Sequence, residues 1–259
     1  MHQKLKEFAD LLDRQEREQE YQAALEATPR LIPQEFVQNH GVHFSLIFRK
    51  LRLAENYTTD FFYLSKSSGD WNAVFIEIEK PSSRYFKDGC DEFHPDFLAG
   101  LSQINRWRAW LQTPGNADHM FSETLEPIWH PHPMRRNPRF YKFVLVTGRR
   151  SEYQNDDRKS RLINGVERED FKIISYDSLL DGATSNQDVY AAIRENSHIK
   201  IITPDFVDEG TLAWIEPARL EIPVALRENA LKAKDSWRMY SIPMKQKCLE
   251  ANLPLIRTF

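Results

Sequence analysis

The chain has 259 residues, 41% of them hydrophobic and 28% charged, which suffices for one large globular domain or one domain with an appendage. No apolar run approaches the ~18 residues of a membrane span, and the N-terminus lacks the apolar stretch of a secretory leader. Cys90 and Cys248 are too few for a disulfide framework or a thiolate zinc site. A cytoplasmic protein with no membrane partner is expected. The net charge of −3 hides an asymmetry, because residues 134–161 hold nine Lys or Arg against three acids, a local +6 that leaves −9 for the rest. Such a block is most often solvated surface. Beside a group of carboxylates it suits a polyanionic partner.

Residues 3–27 read as one amphipathic helix whose stripe is Leu5, Phe8, Leu11, Leu12 and Leu25. The stripe invites self-association, so a homo-oligomer is expected. Thr28-Pro29 ends this helix, and a second, short one is expected over 33–39. From Val42 to Leu53 the alternation Val42, Phe44, Leu46, Phe48 predicts a strand. Two further strands, 57–64 and 71–80, flank the hairpin linker Ser65–Asp70. An irregular stretch then precedes a helix over 95–112 with the stripe Phe97, Leu101, Ile104 and Leu111. A Pro-rich connection leads to a strand at 140–147, which the intervening helix makes parallel to 72–80. A short strand at 171–176 and a helix starting at Asp177 follow. From Asn186 the pattern suggests a helix, a strand at 199–203 and a Pro-punctuated helical tail. This divides the chain into an N-terminal helix (1–30), a core (31–182) and a C-terminal α/β appendage (183–259), the core being a mixed sheet with helices on both faces.

The chemistry concentrates where acids interrupt the strands. In 71–80, Phe75, Glu77 and Glu79 share one face and Val74, Ile76 and Ile78 the other. If the hairpin closes with a loop of about four residues, opposed positions sum to about 137 and Asp60 faces Glu77. Opposed Cβ atoms lie roughly 5 Å apart, so three such carboxylates repel unless something neutralises them. A divalent cation with oxygen ligands is the most economical neutraliser. Alone, Glu-x-Glu on a strand reads as a solvated face; the opposed Asp60 is what favours a metal site, and a one-residue slip would undo it. His130 and His132 sit in a Pro-rich loop without nearby acids and read as loop, and His94 as solvated. No phosphate-binding Gly loop, nucleophile elbow or dinucleotide fingerprint is present.

Asp60, the hairpin return, Glu77-Ile-Glu79-Lys80 and a helix carrying Gln103 resemble the PD-(D/E)XK nuclease superfamily. With Ser102-Gln103-Ile-Asn-Arg-Trp107, Val146-Thr-Gly148-Arg149 and Ile174-Ser-Tyr-Asp-Ser-Leu179, the chain over about 30–182 is similar to the Shedu family of bacterial anti-phage nucleases. The resemblance implies a restriction-endonuclease-like mixed sheet and metal-dependent endonucleolytic cleavage of double-stranded DNA, under a phage-derived trigger. It also implies Mg²⁺ or Mn²⁺ held by Asp60 and Glu77. Glu79 stands where most of the superfamily has a catalytic lysine, so it is expected as a further ligand or as a base. Lys80 turns to the other face of an ideal strand and would join the acids only through a bulge or at the strand end before Pro81. Gln103 would reach the site from its helix, and Glu35 stands where the superfamily sometimes supplies another acid. Trp107 and Trp110 read as core or interface. Arg135, Arg149 and Arg150 are the expected phosphate contacts. The missing lysine favours one rival, a catalytically silent nucleic-acid-binding or sensor module. A purely structural partner protein is the other.

Overall fold

The computed structural model describes residues 2–14, 16–128, 132–202, 215, 219–224 and 257–258. It opens with two helices, α1 (His2–Leu12) and α2 (Glu18–Ala27), where the apolar periodicity predicts one. The break has a local cause. Tyr21 Oη donates to the Arg14 carbonyl at 2.5 Å and accepts from Glu16 N at 3.1 Å, taking up backbone groups that a continuous helix would have paired. Phe8, Leu12, Tyr21 and Leu25 are buried against the sheet, so the apolar stripe is covered by this same chain. No helix forms over 33–39. Residues 29–31 make a 3₁₀ turn, Phe36 takes φ 62°, and the carbonyls of Glu35 and Phe36 accept from Tyr63 Oη and Asn72 Nδ2 instead of from helical amides.

The strands β1 (Val42–Arg49), β2 (Arg52–Ala54), β3 (Tyr57–Thr58), β4 (Phe61–Lys66) and β5 (Trp71–Ile78) follow. β1 does not alternate throughout. Phe44 and Ser45 have φ of 56° and 53°, and the pairing with β4 shifts between Val42↔Ser65 and Ile47↔Tyr63. This bulge moves Val42 to the face opposite Leu46 and Phe48. β4 and β5 pair as expected, from Phe61↔Ile76 to Lys66↔Trp71.

Next come α3 (Pro95–Gln112), α4 (Asn116–His119), β6 (Arg139–Val146), α5 (Asp157–Val166), β7 (Phe171–Ile174) and α6 (Tyr176–Gly182). α3 starts where it should: Pro95 takes the first turn, and His94 caps it, Nδ1 accepting from Asp96 N at 3.2 Å. Unforeseen within the basic stretch, α5 is capped by Asp156, which accepts from Arg158 N and Lys159 N. The chain ends its described part with β8 (Tyr190–Glu195), β9 (His198–Ile201), β10 (Leu220–Ile222) and β11 (Arg257–Thr258). β8 replaces the helix expected after Asn186, since Tyr190, Ala191 and Ala192 pair in parallel with the free side of β1. The side chains of His130 and His132 and most of the expected helical tail lie outside the described residues.

A nine-stranded sheet results, in the order β11-β10-β9-β8-β1-β4-β5-β6-β7, with β2 and β3 paired in a separate two-stranded one. β5, β6 and β7 are mutually parallel, while β4 is antiparallel to both its neighbours. The appendage expected after 183 therefore continues the core sheet through β8. Helices cover both faces. α3 and α5 pack on the side of Phe62, Phe75, Phe143 and Leu145; α1, α2 and α6 pack on the side of Tyr63, Val74, Ile76 and Ile78. Each such side chain stabilises the fold by about 1.5–3 kcal/mol, so the frame that carries β4 and β5 is rigid. Among the described residues no helix is long and apolar enough to cross a membrane.

Candidate functional site

The hairpin's register decides the site. Continuing the ladder one step beyond Phe61↔Ile76 sets Asp60 opposite Glu77. Asp60 is 5% exposed, and its backbone N donates to the Ile76 carbonyl at 3.2 Å. Its Oδ2 accepts from Ile78 N at 2.8 Å, so the side chain serves as the acceptor that ends the ladder. Its Oδ1 is ion-paired with Lys50 Nζ, and Lys50 N donates to the Asp60 carbonyl at 2.8 Å.

The Glu77 carboxyl is held well above the usual carboxylate range, first by burial, then by the charges of Asp60 and Glu79. Glu79, two residues on and on the same face, is pushed up to about 7 by burial, followed by Glu18, Asp60 and Asp96. Lys80 pulls the other way. Glu18, in the first turn of α2, is itself raised by burial and Asp60. Five carboxylates thus feel one another at the open end of the hairpin, with two lysines opposing them.

Backbone contacts fix this end of the sheet. Glu79 N donates to the Val146 carbonyl at 2.8 Å, and the buried Tyr176 donates its hydroxyl to the Glu79 carbonyl at 2.6 Å. α3 comes closest at Gly100. A Cβ there would stand 2.7 Å from Leu145 Cδ1 and 3.5 Å from Glu79 Cγ, so glycine is what lets the helix settle over the strand end. Gly148, at φ 57°, turns the chain after β6, and its N donates to the Lys80 carbonyl at 3.2 Å.

A family model described as Shedu protein SduA, C-terminal, matches residues 15–180. The chain belongs to the Shedu family. Membership of that family carries an association with anti-phage defence. The Shedu match takes in α2, which the apolar periodicity assigns to a helix outside the core, and it leaves out α1 and β8–β11. No curated protein matches this chain.

Of the residues expected at the site, the structure brings Asp60, Glu77 and Glu79 together, with Lys80 exposed at their edge. Gln103 lies one turn beyond Gly100 and its Oε1 accepts from Arg106; the α3 residues that meet the acids are Gly100 and Asp96. Glu35 has Lys172 and Glu167 as its charged neighbours and stands apart, and Trp107 is core. The three arginines do not form one patch. Arg149 and Arg150 follow β6 at the acidic end, but Arg149 is held by Asp13 and Asp177 and Arg150 by Asp181. Arg135 precedes β6 at the Trp71 end, roughly 25 Å away at the rise of a strand.

Three residues at the site go beyond the sequence reading: Lys50, Glu18 and Asp96. Lys50 had a signal, a cation directly after the β1 pattern and ten positions before Asp60. Glu18 had none, being one of many acids on a polar helix face.

Proposed function

We propose that this Shedu protein is a metal-dependent endonuclease of PD-(D/E)XK type that cuts double-stranded DNA in anti-phage defence. The observation that carries the reading is the Asp60–Glu77 pair with Glu79 beside it. Buried acids placed against one another destabilise the chain unless their charge is relieved, and such clusters concentrate at functional sites.

The donor set fits Mg²⁺ or Mn²⁺. All donors are hard oxygens, and such ions are commonly held by one or two carboxylates with water and substrate phosphate completing the shell. Among the described residues no three His, Cys, Asp or Glu side chains form a ready cage. Asp60 and Glu77 would be the ligands. When bound, the ion supplies positive charge that acidifies water and offsets the charge of the transferring phosphate. Asp60 is held in place by Ile78 N, and Glu77 would bind the ion as its carboxylate, its proton passing to solvent. Glu79, with a pKa of about 7, is matched to taking the proton of the attacking water near neutral pH. The charge of Lys80 moderates Glu18 and Glu79.

Incubation of plasmid and linear duplex DNA with the full chain and Mg²⁺ or Mn²⁺, repeated with Glu77→Ala, tests this. Metal-dependent cleavage by the wild type alone is the expected result. The rival reading, a silent DNA-binding sensor, is favoured by glutamate in place of the motif lysine at position 79. DNA binding without cleavage in both samples would select it.

A further inference from the structure

Lys50 is the residue at the site whose placement costs backbone strain. It directly follows β1 and takes φ 45°, a left-handed conformation that side-chain-bearing residues seldom adopt and that persists only where the surroundings enforce it. The surroundings here are Asp60 at both levels: Lys50 N donates to the Asp60 carbonyl, and Lys50 Nζ lies on Asp60 Oδ1. Oδ2 accepts from Ile78 N, whereas Oδ1 faces the side chain of Lys50, whose ammonium lies where a metal ion would meet that oxygen. The Lys50 side chain is 42% exposed, so it is free to swing away while its backbone stays anchored.

We propose that Lys50 is a resident counterion for the metal position: its ammonium sits on Asp60 Oδ1 in the ion-free chain, keeps that carboxylate in the ligand rotamer, and is displaced when the ion binds. The inference rests on the metal-site reading given under the proposed function. No bond is made or broken; one cation exchanges for another on the same oxygen, and the lysine carries its charge outward to the rim, where a polyanion would meet it. Ion binding is weakened by this competition when no polyanion is present. Lys50 is thus a positioning residue, supplied from just after β1 where the motif strand offers glutamate.

The test is titration of the full chain with Mn²⁺ alone, followed by calorimetry or thermal shift, for wild type, Lys50→Met and Lys50→Arg. Removing a partly exposed competing cation is expected to tighten Mn²⁺ binding about fivefold in Lys50→Met. In Lys50→Arg, which can re-form the pair, the midpoint is expected to return toward wild type. In chelator, Lys50→Met should also melt below wild type. A Mn²⁺ midpoint that is unchanged or weaker in Lys50→Met overturns the proposal, as does absence of Mn²⁺ binding in every variant. Cleavage is scored separately on the wild type. Mn²⁺ binding with the expected shift but no cleavage sinks the nuclease reading and leaves the counterion role standing; cleavage without the shift does the reverse.

Discussion

The β4–β5 hairpin carries acids at both its ends, and they live in opposite circumstances. At the closed end Asp70 accepts from Ser67 Oγ at 2.5 Å and from Gln38 Nε2, while Ser67 Oγ accepts from the amides of Gly69 and Asp70. This acid is a component of the turn, satisfied by neutral donors. At the open end Asp60, Glu77 and Glu79 face one another, and the cations in reach are side chains at the rim, Lys50 and Lys80. The difference teaches that an acid's partners, more than its presence on a strand, distinguish a turn from a site.

The comparison breaks first on activity. Glu77→Ala is expected to lower Mn²⁺-dependent DNA cleavage on the order of 10³-fold or more, as loss of transition-state charge stabilisation does. Asp70→Ala should leave the rate of nicking unchanged. Equal losses in a plasmid assay would erase the distinction between the two ends. Within the open end, Glu79→Gln should cost about 10²-fold and Lys80→Ala less, because Glu79 shares a face with Glu77 and Lys80 does not. The opposite ranking would mean that the strand end turns the lysine onto the acidic face.

Stability separates the ends in sign. Glu79 has a folded pKa of about 7 against an ordinary 4.5, and that of Glu77 is raised further. The folded state then binds more protons than the unfolded one, so the stability of the metal-free chain falls as pH rises from about 4.5 through 7, and goes on falling above it on account of Glu77. Glu77→Gln should therefore raise the melting temperature by about 3 °C at pH 8 and less at pH 5. Asp70→Ala should cost about 1 kcal/mol at both. Asp60→Ala should also destabilise, because it leaves Ile78 N without its acceptor. Thermal melts across pH in chelator check all three, and a Glu77→Gln variant that melts below wild type at pH 8 would make the cluster a structural network.

The smallest effect concerns the arginines that would meet phosphate. Arg149→Ala or Arg150→Ala should reduce the log–log salt dependence of DNA binding by about one unit for each phosphate no longer neutralised. Arg135→Ala, at the far end of β6, should leave it unaltered unless the duplex runs the length of the strand. Slopes unchanged from wild type for all three would assign them to ordinary surface.

The legible parts share a short range in sequence. The hairpin register could be worked out because its loop has four residues, and with it the facing of Asp60 and Glu77 and the division of β5 into an acidic and an apolar face. The bounds of α3 were legible from Pro95 and the spacing of Phe97, Ile104 and Leu111. The alternation of β1 misled, because a bulge at Phe44 and Ser45 reverses its faces and leaves no mark in the pattern of apolar residues. The basic stretch was legible only as a sum of charges, which hid that Arg139, Arg149, Arg150 and Arg158 are each paired with an aspartate from elsewhere in the chain.

By itself, then, the sequence determined the hairpin, its crowded acids, the crossing helix and the membership that these motifs suggest, since each follows from backbone periodicity and turn chemistry within a few tens of residues. Tertiary structure alone decided that Glu18 arrives from α2, that Tyr176 ties α6 to the Glu79 carbonyl and that β8 extends the sheet past β1. Those contacts join segments whose separation no local rule constrains. They form because burying the apolar faces of α2, α6 and β8 brings their polar residues along, to whichever edge of the sheet the packing leaves open.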